Sequence, residues 1–443
     1  MARRNSLVAI SIVLTVITSH AMVGNPIISR GKTVYTSGGN VTFLTDNKFN
    51  GSTFSLSKDS WVAIKPGEGP SKIFFNWNDP SYAWSNEMSP SQCPNSNPEI
   101  TDYDLLTSSN STNGSDGQWT TALSVHGNTV TARGHLIDFS GKAWVKMSII
   151  NGNGRLDEIE VFDMSNGAED IWFFPGTSIS ANTYKGTPPV QNFADLITQV
   201  HPAFNPVMIR GGIGCINTTD MVKNLSKYLD IAHGAHYWAI EQGTNDAWGG
   251  SNYNVATFKK NLQIVIDSCK ASGINPVLAR VLATNSTATN WQVNADFEKA
   301  IDDLTLQNSL IAGPDLYTWF LNHPGELNND GVHPNASGAA SIQRLWAEKM
   351  SSQYTSNSIS RKNSMNSVNH GNSDNIYATV NRNVITIQTK CSGTAMIFTV
   401  NGKLINKISF KSAGCYSGIF KRNGLVLIRF VSNTGIENVK IAG

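Results

Sequence analysis

Residues 171–180 read Ile171-Trp172-Phe173-Phe174-Pro175-Gly176-Thr177-Ser178-Ile179-Ser180. A short apolar run without alternation is the pattern of a strand covered on both faces, as in a parallel sheet. The Gly-Thr-Ser that follows is turn composition. A serine on such a turn exposes its hydroxyl at the sheet edge, with a backbone N–H aimed at an oxyanion. Runs of the same kind recur at 206–209, 237–240, 276–281 and 316–320. Between them, helical periodicity marks 191–199, 219–232, 255–272, 291–308 and 337–351. Alternating strands and helices predict an α/β three-layer domain over 169–351, with a parallel sheet between helices. Functional groups in such a sheet gather beyond the carboxyl ends of the strands.

Three more segments fall at those ends. Arg210-Gly211-Gly212-Ile213-Gly214-Cys215 follows the second run, and a glycine there lets the backbone approach a ligand and present an N–H. Gln242-Gly243-Thr244-Asn245-Asp246 follows the third and offers the Asn245 amide to the same oxyanion. Asn329-Asp330-Gly331-Val332-His333-Pro334 follows the expected fifth strand. Its spacing lets the Asp330 carboxylate fold back onto the imidazole Nδ1 of His333, fixing the tautomer needed to take a serine proton. Each segment alone is ordinary turn sequence; the order of all four is specific.

Together the four blocks resemble the SGNH (GDSL-like) hydrolases, with Ser178, Gly214, Asn245 and His333 in the four named positions. The resemblance covers nearly all of 169–351 and implies an esterase: Ser178 as nucleophile, the Asp330/His333 pair as base, and the Gly214 and Asn245 donors for the oxyanion. The family's usual Gly-Asp-Ser reads Gly-Thr-Ser here, which puts the local loop geometry in question. Ser180 is the fallback nucleophile if Ser178 faces inward. Cys215 beside Gly214 has no explanation at this level.

On either side the pattern changes. Residues 25–165 carry short alternating strands, among them Trp61–Ile64, Lys72–Trp77, Trp144–Ile149 and Glu158–Phe162, which predict an antiparallel β-sandwich. Asp46-Asn47, Tyr103-Asp104-Leu105-Leu106, Gly117-Gln118-Trp119 and Asp157–Phe162 resemble a discoidin-like, galactose-binding-like jelly roll. That likeness implies sugar binding and a structural calcium without assigning residues to either; a region that merely packs on its neighbour fits equally. Residues 352–374 are Ser/Asn-rich, too poor in apolar side chains to offset ordering, and read as a linker. Residues 375–443 return to short strands as a small C-terminal β-sandwich. There, Val400-Asn401-Gly402-Lys403-Leu404 and Glu437–Ile441 resemble the sorting domain of type IX secretion. The chain is thus expected to be multidomain.

Residues 1–21 combine Arg3 and Arg4, an apolar run from Leu7 to Ile17, and Ser19-His20-Ala21, the layout of a signal peptide. No later stretch predicts an integral membrane segment. The expectation is a secreted or cell-surface protein of a bacterium, with the secretion machinery as a further partner of residues 375–443. The net charge of +2 gives no reason to expect nucleic acid. The five cysteines show no metal-ligand spacing; Cys391 and Cys415, close in sequence, are the expected pair, with an odd thiol left over. The sequon at Asn335, two residues past His333, is read as the chance product of an Asn/Ser/Thr-rich chain, because a glycan there would crowd the site.

These expectations converge on a secreted serine esterase that removes O-acetyl groups from a polysaccharide such as acetylxylan, with no metal or cofactor required. Trp84, Trp119, Trp248 and Trp291 are available to stack on sugars or to fill cores. Two other readings stay open: a lipase or lysophospholipase of the same type, which a long apolar lid would favour and none is visible, and a non-catalytic carbohydrate-binding protein on the same scaffold.

Overall fold

The computed structural model describes residues 24–80, 88, 93, 100–167, 169–186, 191–251 and 254–354, and from the C-terminal segment 369–372, 376–381, 384–389, 392–399, 404–412, 414–419, 426–432 and 435–441. The chain folds into two compact units, residues 1–356 and 357–443. The expected signal peptide, Trp84, Cys391 and the turn at 400–403 lie outside the described residues.

The centre of the first unit is a parallel sheet in the order Val207–Gly212, Ile171–Gly176, Tyr237–Ile240, Asn275–Leu278. Its side chains alternate between two cores, as a strand's period of two requires. Phe173, Ile209, Trp238 and Ile240 face one side, against Met221, Tyr228, Phe258, Leu262 and Phe297. Trp172, Phe174, Met208 and Val277 face the other, against Phe193, Leu316, Phe320, Ile342 and Trp346. The chain runs outward from the first strand to the second, then crosses to the other side for the third. The strand order therefore reverses at Ile171–Gly176, where a crevice opens beyond the strand ends.

One expected strand is absent. Residues 316–320 form the helix Leu316–Asn322, not a fifth strand. Asp315 caps it by accepting from the Thr318 N–H at 2.9 Å, and Leu316 and Phe320, four apart, are the buried pair. A five-residue apolar run fits either period; the capping aspartate decides. The place beside Asn275–Leu278 is taken by a single parallel bridge from Leu278 to Ala312. The predicted helix 219–232 is also broken, into Thr218–Lys223 and Leu225–Ile231 on either side of Asn224.

Ahead of this layer, two antiparallel sheets face one another. One runs Gly39–Val41, Val34–Thr36, Trp61–Ile64, Trp144–Gly152, Ile100–Ser108, Thr120–Val125; the other runs Glu158–Asp163, Lys72–Asn78, Ala132–Asp138. Val62, Ile64, Ile73, Phe75, Trp77, Tyr103, Val145 and Val161 from both share a core. This region also contributes Phe74 and Phe162 to the core of the parallel layer, so the two halves of the first unit are packed as one.

Within the antiparallel core, the Tyr103 hydroxyl meets His135 Nε2 at 2.6 Å and accepts from Trp77 Nε1 at 3.2 Å. Burial, helped by the charges of Arg133 and His233, pushes the His135 imidazole down to about 3. Its native pKa lies below its unfolded one, so the contribution of the neutral imidazole to stability is complete above about pH 6.5 and falls as the pH drops towards 3. The loss amounts to about 1.4 kcal/mol per pH unit within that window. Urea unfolding of wild type and His135→Gln at pH 7 and pH 5 isolates this contribution: on acidification the wild type should lose stability relative to the variant.

Past the parallel layer, Ser351–Tyr354 forms a short 3-10 turn whose Tyr354 hydroxyl donates to the buried Asp170 at 2.8 Å. The segment expected to be a linker thus starts within the packed unit. The strand Asn369–Asn372 falls at its other end, and 355–368 lie outside the described residues. The second unit contains two four-stranded antiparallel sheets, one of Asn369–Asn372, Ile376–Asn381, Val384–Thr389 and Gly414–Ile419, the other of Leu404–Phe410, Gly393–Thr399, Val426–Ser432 and Gly435–Ile441. Among the described residues, no helix is long and apolar enough to cross a membrane.

Candidate active site

The strand Ile171–Gly176 ends in a turn sealed from below. A Cβ on Gly176 would collide with Ser180 Oγ and lie 2.8 Å from the Glu241 carbonyl oxygen, so only glycine fits. Thr177 then acts as the N-cap of the short helix Ser178–Ala181, its hydroxyl accepting from the Ile179 N–H at 3.1 Å. The cap places Ser178 at the first helical position, partly exposed at the strand-order reversal. Ser180 points the other way and is buried, its hydroxyl donating to Glu241 Oε2 at 3.1 Å.

The loop Asn328–Pro334 follows the helix and a 3-10 turn, and it closes on itself. The Asn328 N–H donates to the His333 carbonyl at 2.8 Å, and the Gly331 N–H to the Asn328 carbonyl at 2.8 Å. Gly331 has φ +67°, the left-handed region that favours glycine, and a Cβ there would be 2.9 Å from Ala288 and Thr289. Asp330 Oδ1 accepts the N–H of Val332 at 2.9 Å and of His333 at 3.0 Å, which leaves Oδ2 for the ring. His333 Nδ1 meets that Oδ2 at 2.7 Å, and His333 Nε2 meets Ser178 Oγ at 2.8 Å. Burial pushes the Asp330 carboxyl up, but the two N–H donors and the imidazole outweigh it and hold the group below the usual carboxylate range.

The second and third loops stand beside this line of three. The Ile213 N–H donates to the Gly176 carbonyl at 2.8 Å, tying the Gly214 loop to the serine turn. A Cβ on Gly214 would meet no atom within 4 Å, so this glycine borders open space. The Asn245 amide donates to the Ile216 carbonyl at 2.7 Å; an amide has two donor hydrogens, so one remains for a bound oxygen. Asp246 is buried and accepts from the N–H and the hydroxyl of Thr218, the latter at 2.6 Å, which anchors the loop below Asn245. The structure therefore gathers the segments bearing Ser178, Gly214, Asn245, Asp330 and His333 at one end of the sheet.

Two contributors lie beyond the sequence reading, the Cys93–Cys215 bond and Glu241. Cys215 is bonded to Cys93, across 122 residues, and adopts a left-handed φ of +62° next to Gly214. No spacing signals a pair so far apart. Cys269 is buried with a free thiol, and the expected Cys391–Cys415 pair falls partly outside the described residues. Glu241 is the one that sequence does signal, as an acidic residue at the end of an apolar, buried strand. Asn335, the sequon residue, caps the helix Ala336–Met350, and its amide donates to the Gly325 carbonyl at 2.9 Å.

Among the described residues, no group of three or more His, Cys, Asp or Glu side chains is arranged to hold a metal. The buried acidic side chains of the antiparallel region are hydrogen-bonded within the protein. Asp157 accepts from Asn78 and the Asn50 N–H, and Glu158 from Arg30 and the Asn47 N–H.

No protein-family model and no curated protein matches the chain. Solved structures do, each over part of it. A lipase/acylhydrolase from Enterococcus faecalis is 23% identical over 41% of this chain and 96% of its own, with a TM-score of 0.35. An acetylxylan esterase from Geobacillus stearothermophilus is 14% identical over 44% of this chain and 97% of its own, with a TM-score of 0.34. A protein from Bacillus subtilis is 12% identical over 73% of this chain and 91% of its own, with a TM-score of 0.38.

Proposed function

We propose that the protein is a serine esterase that removes O-acetyl groups from a polysaccharide such as acetylxylan. The observation that carries the reading is the relay Asp330–His333–Ser178, with contacts of 2.7 and 2.8 Å. His333 Nε2 takes the proton of Ser178 as Oγ attacks the ester carbonyl carbon. Asp330 holds the imidazole with its hydrogen on Nδ1 and balances the imidazolium. The oxyanion accepts from the N–H groups of Ser178 and Gly214 and the second hydrogen of the Asn245 amide. His333 then gives its proton to the departing sugar oxygen. Water, deprotonated by the same nitrogen, releases acetate from Ser178 and restores the hydroxyl.

Two further observations support substrate and setting. Trp248, three residues beyond Asn245, is 56% exposed, and its ring centre lies 5.4 Å from that of Trp291. An exposed aromatic face this close in the chain to Asn245 suits a sugar ring. The Cys93–Cys215 bond suits an oxidising compartment, and so export. The C-terminal unit is assigned to sorting by resemblance alone.

Acetate release from acetylated xylan, together with hydrolysis of 4-nitrophenyl esters of increasing chain length, tests the reading. Activity on the polymer and on acetyl esters, falling beyond propionyl, is expected. Preference for long acyl chains would replace the polysaccharide by a lipid. A folded protein inactive on all of them would leave the carbohydrate-binding reading in its place.

A further inference from the structure

Beneath the serine turn lies a carboxyl group that the reaction does not use. Glu241 follows the strand Tyr237–Ile240, is 3% exposed, and is fixed by its own backbone: its N–H donates to the Pro175 carbonyl at 3.2 Å, and it bridges Gly176 in parallel register. Its Oε2 accepts the Thr177 hydroxyl at 3.0 Å, the Thr177 N–H at 3.3 Å and the Ser180 hydroxyl at 3.1 Å. Its Oε1 is buried without a hydrogen-bond partner. One oxygen thus holds the residues on both sides of Ser178. The Thr177 hydroxyl has a second duty, accepting from the Ile179 N–H. A hydroxyl can donate and accept at once; a carboxylate can only accept.

We infer that Glu241 is a positioning residue for Ser178, and that it dictates threonine at position 177. An aspartate there could still cap the helix through Ile179. In its ionised form it would set a second negative charge against Glu241, which repels it, and would offer no hydrogen to Oε2. Burial already pushes the Glu241 carboxyl up, partly offset by the bonds from Thr177 and Ser180. The Gly-Thr-Ser of this chain and Glu241 are two halves of one device that aims the Ser178 N–H and hydroxyl. This rests on the esterase reading of the same site.

The test is a four-cornered comparison of wild type, Thr177→Asp, Glu241→Gln and the double variant, by kcat and KM on 4-nitrophenyl acetate and by melting temperature. Thr177→Asp should lower kcat about 10²-fold, the scale of a small misplacement of a reacting group, with KM little changed. Glu241→Gln keeps an acceptor oxygen for Thr177 and Ser180 but loses the negative charge that strengthens those bonds, and should lower kcat about tenfold. Joined to Thr177→Asp it should restore most of the lost kcat, because the amide donates to the new carboxylate; coupling of neighbours on this scale is ordinary. Should Thr177→Asp fail to fold, Thr177→Val removes the hydroxyl at constant shape; kcat should fall, and Thr177→Ser should recover it. Independent effects in the double variant, or Thr177→Val as active as wild type, would overturn the inference. A wild type without hydrolysis would fail the esterase reading instead. The pairing would then be read from the melting temperatures, where recovery in the double variant supports it and additive losses overturn it.

Discussion

Replacing Ser178 by alanine is expected to lower kcat by about 10⁵-fold or more, the scale seen when the nucleophile of a serine triad is removed. The partial exposure of Ser178 and its 2.8 Å contact with His333 Nε2 make it the one hydroxyl of its turn that meets the imidazole. Ser180 is held inward by Glu241 and has no contact with that ring. An organophosphonate ester should modify the wild type at Ser178, detected by mass spectrometry of the peptide, and leave Ser178→Ala unmodified. Folding should be unaffected, because the Thr177 cap and the Ala181 N–H to Thr177 carbonyl bond both survive the change. Labelling at Ser180, or activity persisting in the alanine variant, would move the nucleophile.

The second large effect is expected at Asp330. Asp330→Asn should cost about 10⁴-fold in kcat, as when the carboxylate of a serine triad is made an amide. Oδ1 would still accept from Val332 and His333, so the loop should keep its shape. The other arm would present an NH₂ to His333 Nδ1 in place of an acceptor. The imidazole would then carry its hydrogen on Nε2, facing Ser178 as a donor and unable to take its proton. In the wild type the depressed pKa of Asp330 means that the carboxylate persists to lower pH than usual, and its support of the loop is lost only as the pH falls through that value. The variant should therefore be folded, inactive at neutral pH, and free of that acid-side change.

What the sequence discloses follows the range of the interactions. The turn at Gly176-Thr177-Ser178 and the loop Asn329–His333 are legible because each is decided within a few residues: a strand end, a cap, a carboxylate three positions from an imidazole. The apolar run at 316–320 has the same local character but misleads, since its length suits a strand and only Asp315 argues otherwise. The Cys93–Cys215 bond and the contact of Glu241 with Thr177 join residues far apart in the chain, and no period or spacing encodes them. The threonine in Gly-Thr-Ser is visible as a departure, yet its partner appears only once neighbouring strands are paired.

The seam within the first unit sets a limit on how this protein can be divided or recombined. Lys185, in the turn after the Ser178 helix, donates to the Asp79 carbonyl at 2.8 Å, and the Asn76 amide donates to the Met208 carbonyl at 3.0 Å. The Arg210 guanidinium stacks over Phe49 at 3.4 Å and lies 3.8 Å from Glu160. A cut near residue 168 would leave Lys185 and Arg210 as stranded charges on a raw apolar face. Grafting a different front half would mean matching each of them anew. The smallest piece that keeps these contacts together is thus the whole stretch from about residue 24 to residue 354.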